Sequence, residues 1–204
     1  MQDIARAMNC SVNTVVYWMR KYGIKRRTWS EATYLKRNPN GDPFTFKPPR
    51  TLGEYKLLGL GLGLYWGEGT KSNKHAIRLG NSDPALLNMF IRFLTKIFDV
   101  KKEDLRFGLQ TFTDISSKQA LDFWVKMLKV KRTQFQKPVV TISGSIGTYR
   151  QKSQYGVVTL YYHNKKARDL LMGMLADVAQ WQSNSMVGRM PPPNLAGMPS
   201  MNPE

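Results

Sequence analysis

Cysteine is nearly missing from this chain: Cys10 stands alone among 204 residues, and His75 and His163 are the only histidines. One thiol excludes a disulfide framework and a multi-cysteine zinc centre, and two histidines exclude a histidine-rich metal site. Acids are scarce as well, 14 Asp and Glu against 31 Lys and Arg, for a formal charge of +17. No apolar run reaches the roughly 18 residues that span a bilayer, since Leu57 to Gly67 is short and diluted with glycine. Met1-Gln2-Asp3 lacks the basic flank and apolar stretch of a signal peptide. The expected setting is therefore a reducing cytosol, away from membranes.

What is present is enough for a core, with 42% hydrophobic and 11% aromatic residues. A chain this basic is expected to meet a polyanion, because Lys and Arg neutralise phosphates and release counterions. Residues 1–29 carry six basic and one acidic side chain, residues 30–51 four and two, residues 52–175 twenty and nine, and residues 176–204 one and two. The surplus thus spans both candidate domains and spares the tail. Prolines and turn dipeptides from Asn38 to Pro43 and from Lys47 to Arg50 mark residues 30–51 as a basic, proline-rich linker. Residues 176–204, with Met190-Pro191-Pro192-Pro193 and no apolar periodicity, are expected to be a disordered tail.

In residues 1–29, Ile4, Ala5 and Met8 share a helical face, and Ser11 is a good N-cap for a second helix over Val12 to Tyr22. Gly23 fits a left-handed C-cap, followed by the apolar Ile24. The set Ala5, Asn9, Ser11, Thr14, Val15, Trp18 and Gly23-Ile24 resembles the helix-turn-helix of resolvase-type and regulator-type DNA-binding domains. That resemblance implies a small all-α module in which Val15 and Trp18 anchor the second helix. Asn13, Thr14, Tyr17, Arg20 and Lys21 are left to meet base edges and phosphates, with Lys25, Arg26 and Arg27 as a backbone clamp. Only Met1 precedes the first helix, so either the start is truncated or further support comes from the linker.

The sharpest feature is Leu57-Leu58-Gly59-Leu60-Gly61-Leu62-Gly63-Leu64-Tyr65-Trp66-Gly67-Glu68-Gly69. Glycine inside a helix costs about 1 kcal/mol relative to alanine unless close approach of another backbone compensates. Gly59, Gly63 and Gly67 are four apart and form one stripe that admits such an approach, with Leu60 and Leu64 expected to face the core. Phosphate-loop readings fail on register. Thr70 interrupts the Gly-Lys-Ser/Thr order of a Walker loop, and Trp66 stands where a dinucleotide fingerprint needs its third glycine.

The stretch resembles the LAGLIDADG motif of homing endonucleases. Gly61 to Gly69 matches it at Gly63, Leu64, the small Gly67, the acid Glu68 and Gly69, and departs at Gly61, Leu62, Tyr65 and Trp66. In that family two such helices pair along their small-residue stripe, and each delivers one acid to the floor of a DNA-binding saddle. The resemblance therefore implies a homodimer with Gly59, Gly63 and Gly67 at its interface. Paired Glu68 carboxylates would be bridged by a divalent cation, Mg²⁺, acting on a phosphodiester.

Downstream periodicity extends the resemblance over residues 52–175. Strands are expected at 74–81, 105–113, 139–143 and 156–163, and helices at 84–98, 116–128 and 165–174, with Pro84 at a helix start and Ser116 and Asn164 as caps. The fold class is α+β: an αββαββα saddle with one added helix, preceded by the helix-turn-helix. In a saddle the polar residues of the outer sheet face meet the duplex, which nominates Lys71, Asn73, Lys74, Arg78, Arg106, Gln110, Arg150 and Lys152. His75 and His163 read as ordinary strand residues. The expected function is sequence-specific binding of double-stranded DNA with metal-dependent endonuclease activity, the alternative being a non-cutting transcriptional regulator of the same fold. A structural RNA-binding role is set aside, because no exposed aromatic signature is legible.

Overall fold

A computed structural model describes residues 1–142 and 153–186, with side chains as far as 180. Contacts divide the chain into two units, Met1–Pro43 and Phe44–Glu204. The described part is a mixed α+β protein of seven α-helices and one four-stranded sheet. No described helix is long and apolar enough to cross a membrane.

The first unit holds α1 (Gln2–Ala7), α2 (Val12–Lys21) and α3 (Trp29–Arg37). Asn9 turns the chain at φ 47°, a left-handed conformation that Asn tolerates better than most residues. Ser11 then caps α2, its hydroxyl accepting from the Thr14 amide at 3.1 Å. Gly23 adopts φ +64°, and the Ile24 amide donates to the Met19 carbonyl at 2.8 Å, closing α2 as the Gly-Ile pair predicts. Helix α3 lies inside the segment expected to be a linker. Its cause is a reciprocal cap, in which the Thr28 hydroxyl accepts from the Glu31 amide and the Glu31 carboxylate from the Thr28 amide. These bonds hold the Glu31 carboxyl below the usual carboxylate range. Among the described residues of this unit only Ala5 and Val15 are fully buried apolar side chains.

The second unit begins with a strap. The Thr45 and Lys47 amides donate to the carbonyls of Phe98 and Ile97, and the Lys47 ammonium pairs with Asp99 at 2.6 Å. Phe44 and Phe46 lean on Phe98. Helix α4 (Leu52–Glu68) starts at a second reciprocal cap, Thr51 with Glu54. It is followed by β1 (Ile77–Asn81), α5 (Pro84–Ile97), β2 (Arg106–Phe112), α6 (Ser117–Leu128), β3 (Val139–Thr141), β4 (Val157–Tyr162) and α7 (Lys165–Met186). Helix α7 extends through residues 176–186, which composition assigns to the tail, and residues 187–204 lie outside the described ones.

The sheet order is β1-β4-β2-β3, antiparallel except for the parallel pair β2 and β3. That parallel pair follows from α6, which carries the chain back across to start β3 in the same direction as β2. Between α4 and α5 the αββαββα pattern implies two strands, and one is found. The missing strand is reduced to a bridge between Gly69 and Leu79. The side-chain carbonyl oxygen of Asn73 accepts from the amides of His75 and Ala76, so a side-chain turn takes the donors that a longer ladder would need.

One sheet face carries Ile77, Leu79, Phe107, Leu109, Val158, Leu160 and Tyr162, all buried. Leu87, Phe90, Leu94 and Ile97 of α5, Trp124 and Leu128 of α6, and Ala167 and Leu171 of α7 join them in a single core.

Candidate nucleic-acid interface

Alternation places every second residue of the strands on the other face. In register, Arg78 of β1, Tyr161 of β4 and Arg106 of β2 form one row across three strands, and Gly80, Thr159 and Gly108 form the next. Gln110 follows on β2, its amide donating to the Thr141 hydroxyl at 3.0 Å. The two glycines stand on the strands either side of β4 and leave room for its side chains. A Cβ on Gly108 would lie 3.2 Å from the Tyr161 ring, and one on Gly80 3.1 Å from the Thr159 hydroxyl. The Tyr161 ring therefore reaches over Gly108, with Arg78 and Arg106 on the strands either side of it.

Neither arginine of this row forms an ion pair among the described residues. The Arg78 guanidinium lies 5.3 Å from the centre of the Tyr161 ring, and its Nε is buried without a hydrogen-bond partner. Arg106 bends back to donate to the carbonyls of Glu103 and Leu105. His163 stacks on Tyr161 with ring centres 5.8 Å apart. Burial holds its imidazole below the ordinary range, and the Arg78 and Arg106 charges add to the shift. Such crowding of positive charge without counter-charge is stabilised by an anion supplied from outside.

Helix α4 brings Glu68 to the edge of the sheet, next to β1. Two residues beyond Glu68, the Thr70 amide donates to the Arg78 carbonyl at 2.9 Å, so the helix end runs directly into β1. This junction is rigidly made. Tyr65 is fully buried, stacks on Phe90 and donates its hydroxyl to the Thr70 carbonyl. Gly69 lies so close under Tyr65 that a Cβ would sit 2.4 Å from its ring. From α7, Arg168 donates to the Lys71 carbonyl at 2.9 Å, and the Lys71 ammonium donates to the Trp66 carbonyl. Glu68 itself is exposed. A carboxylate at a helix C-terminus faces the negative end of the dipole, an arrangement that favours a cation beside it.

The glycine helix packs differently from its sequence reading. Leu57, Gly61 and Tyr65 face the core, and a Cβ on Gly61 would fall 2.2 Å from the Phe93 ring of α5. Gly61 is therefore the glycine that close packing within the chain requires. A Cβ on Gly59, Gly63 or Gly67 would meet no neighbour within 4 Å, and Leu60, expected in the core, is exposed. With Leu52, Tyr55 and Trp66, also exposed, these residues make an apolar and small-residue stripe along the outer side of α4.

Of the other sequence-nominated residues, Lys74 is exposed, whereas Asn73 and Lys71 are engaged in the local bonds just described. On α2, Asn13, Tyr17, Arg20 and Lys21 are exposed, as are Lys25, Arg26 and Arg27 beyond it. The Thr14 hydroxyl is shared with Ser11 at 2.9 Å. Trp18 does not anchor the helix with Val15: it is 41% exposed. A six-residue α1 rises only about 9 Å and covers little more than one turn of its partner, so Val15 is buried and Trp18 is not. Arg150 and Lys152 lie outside the described residues.

Sequence reasoning missed Tyr161, Thr159 and the two sheet glycines. The signal was the parity of β4, in which Thr159, Tyr161 and His163 alternate with apolar residues. Among the described residues no group of three or more His, Cys, Asp or Glu side chains is placed to hold a metal. In comparisons with known proteins, no family model, no curated protein and no solved structure matches the chain.

Proposed function

We propose that this chain binds double-stranded DNA across the outer sheet face and acts as a homodimeric, metal-dependent endonuclease of LAGLIDADG-like design. The observation that carries the reading is the outer side of α4: an open stripe of Gly59, Gly63 and Gly67 among the exposed Leu52, Tyr55, Leu60 and Trp66, on a helix that ends at the exposed acid Glu68 and runs on to the sheet edge. A helix apolar on all sides is ordinarily covered on all sides, and a second copy of the same stripe is a self-complementary cover. Pairing would bring two Glu68 carboxylates near one another. Their oxygen donors suit Mg²⁺, which when bound supplies charge neutralisation and an activated water for phosphodiester hydrolysis.

The residues of the chain have separate tasks in this scheme. Arg78 and Arg106 receive phosphates, Tyr161 between them offers its ring to the duplex, and Glu68 holds the cation. Tyr65, Gly69, Lys71 and Arg168 keep the end of α4 fixed to the sheet edge. Asn13 and Arg20 of the first unit, with Lys25, Arg26 and Arg27, extend the footprint along the duplex. The second reading is a regulator of the same fold that binds duplex DNA without cutting it; the acid kept at Glu68 favours cutting, since a pure binder gains nothing from carboxylates facing phosphates.

The test is incubation with a pool of duplexes and Mg²⁺, repeated with Glu68→Gln and accompanied by sedimentation of the complex. Cleavage by the parent, lost in Glu68→Gln with binding retained, is the expected result. Binding without cleavage by the parent supports the regulator. A strict monomer on DNA, or no duplex binding, overturns the proposal.

A further inference from the structure

We propose that helix α2 carries a stacking site for the unpaired bases of a single-stranded nucleic acid, beyond the duplex interface of the second unit. The rings of Trp18 and Tyr22 stack at 5.7 Å with 14° between their planes, and Tyr17 meets Trp18 edge-on at 5.3 Å. The Lys21 ammonium lies 4.8 Å from the centre of the Trp18 ring. At 100° per residue, positions 17, 18, 21 and 22 form one contiguous patch on the helix. Tyr17 is 57% exposed and Tyr22 67%, so the patch is open to solvent and supplies the exposed aromatic set that the sequence pattern did not reveal.

An isolated exposed aromatic is ordinary, but a connected set of rings open to water marks a binding surface. Charge selects the occupant. Between Cys10 and Ser30 the chain carries Arg20, Lys21, Lys25, Arg26 and Arg27 and no acid, so the patch faces a polyanion. A duplex presents base edges and keeps its base faces stacked inside, whereas an unpaired strand offers both phosphates and π-faces. Rings interleaved with cations match that pair of groups. A membrane-lying helix instead segregates its cations from its apolar face, and here Lys21 sits among the rings.

The test uses the full chain and fluorescently labelled oligothymidylate and oligouridylate of about a dozen nucleotides, a length within the usual site size, read by anisotropy. A labelled duplex and sedimentation with phosphatidylserine-containing vesicles run in parallel. Both strands share the chemistry, and the two oligonucleotide arms show whether DNA or RNA is preferred. Trp18→Ala and Tyr22→Leu are each expected to weaken single-strand binding roughly tenfold or more, while Trp18→Phe retains most of it. Circular dichroism checks that α2 persists, and Tyr22→Leu keeps bulk at an exposed position should Trp18→Ala unfold the unit.

Absence of single-strand binding by the parent chain overturns the proposal, as does unchanged binding by Tyr22→Leu. Variants that lose vesicle binding but keep oligonucleotide binding overturn it in favour of a membrane surface. Arg78→Ala and Glu68→Gln act on the duplex interface alone. Failure of the nuclease reading therefore leaves this site to be judged by its own variants.

Discussion

Arg78 and Arg106 flank the same tyrosine on the open sheet face and lack acidic partners among the described residues. If both contact phosphates, Arg78→Ala and Arg106→Ala should weaken all duplexes to a similar extent. Each should also lower the slope of log affinity against log salt by about one. Anisotropy titrations over a range of salt concentrations measure both quantities. A loss confined to one sequence would instead identify a base contact. His163 makes a second prediction at this scale. Its folded pKa is depressed by burial and by the two arginines, so the folded state binds fewer protons than the unfolded one once the pH drops below the ordinary histidine value. Stability is therefore fully present above about pH 6.5 and declines as the pH falls through the lower folded value. Melting curves of the parent and His163→Asn should diverge toward acid, with the parent losing more. A phosphate beside His163 counteracts the arginines, so bound duplex should shrink that difference.

At the scale of elements, the glycines of α4 separate two kinds of contact. Gly61→Ala should destabilise the second unit by about 2 kcal/mol or more, because the added carbon overlaps the Phe93 ring and the helices cannot part cheaply. Gly59→Ala and Gly63→Ala meet nothing within the chain, and each should stabilise an isolated protomer by about 0.5–1 kcal/mol through helix propensity. The same two substitutions should weaken self-association by thickening the stripe. Urea unfolding at low protein concentration and sedimentation at high concentration read the two effects separately. Most helix starts were legible in the sequence, because Ser11, Asp83-Pro84, Ser116 and Asn164 each place an oxygen or a fixed φ where a first turn needs one. The outward set of Arg78, Arg106 and Gln110 was legible from strand alternation. Which glycine of α4 meets a neighbour was not, since Gly59 and Gly61 differ only by the rotation of the helix against α5. The cap Thr28–Glu31 was present in the sequence but was obscured by the prolines that follow it. The row Arg78–Tyr161–Arg106 joins residues up to 83 positions apart, and its register is set by tertiary pairing that no local pattern encodes.

For the whole molecule, the two units differ in what holds them. The second has a continuous core of strands and helices. The first relies on Ala5, Val15, two N-caps and two glycines at positive φ, Gly23 and Gly41, which is little for a segment near the lower size limit of independent folding. Amide hydrogens of α1 and α2 should accordingly exchange with solvent orders of magnitude faster than those of β2 and β4, a difference that mass spectrometry of exchanged peptides resolves. Docking onto a target would then slow exchange most in the weaker unit. Its ordering would draw on the free energy of contact, so a mismatched target that supplies too few contacts would be released quickly. If the chain binds as proposed, a module with scarcely any interior of its own would be a means of discrimination, reading the quality of a surface by whether that surface can complete it.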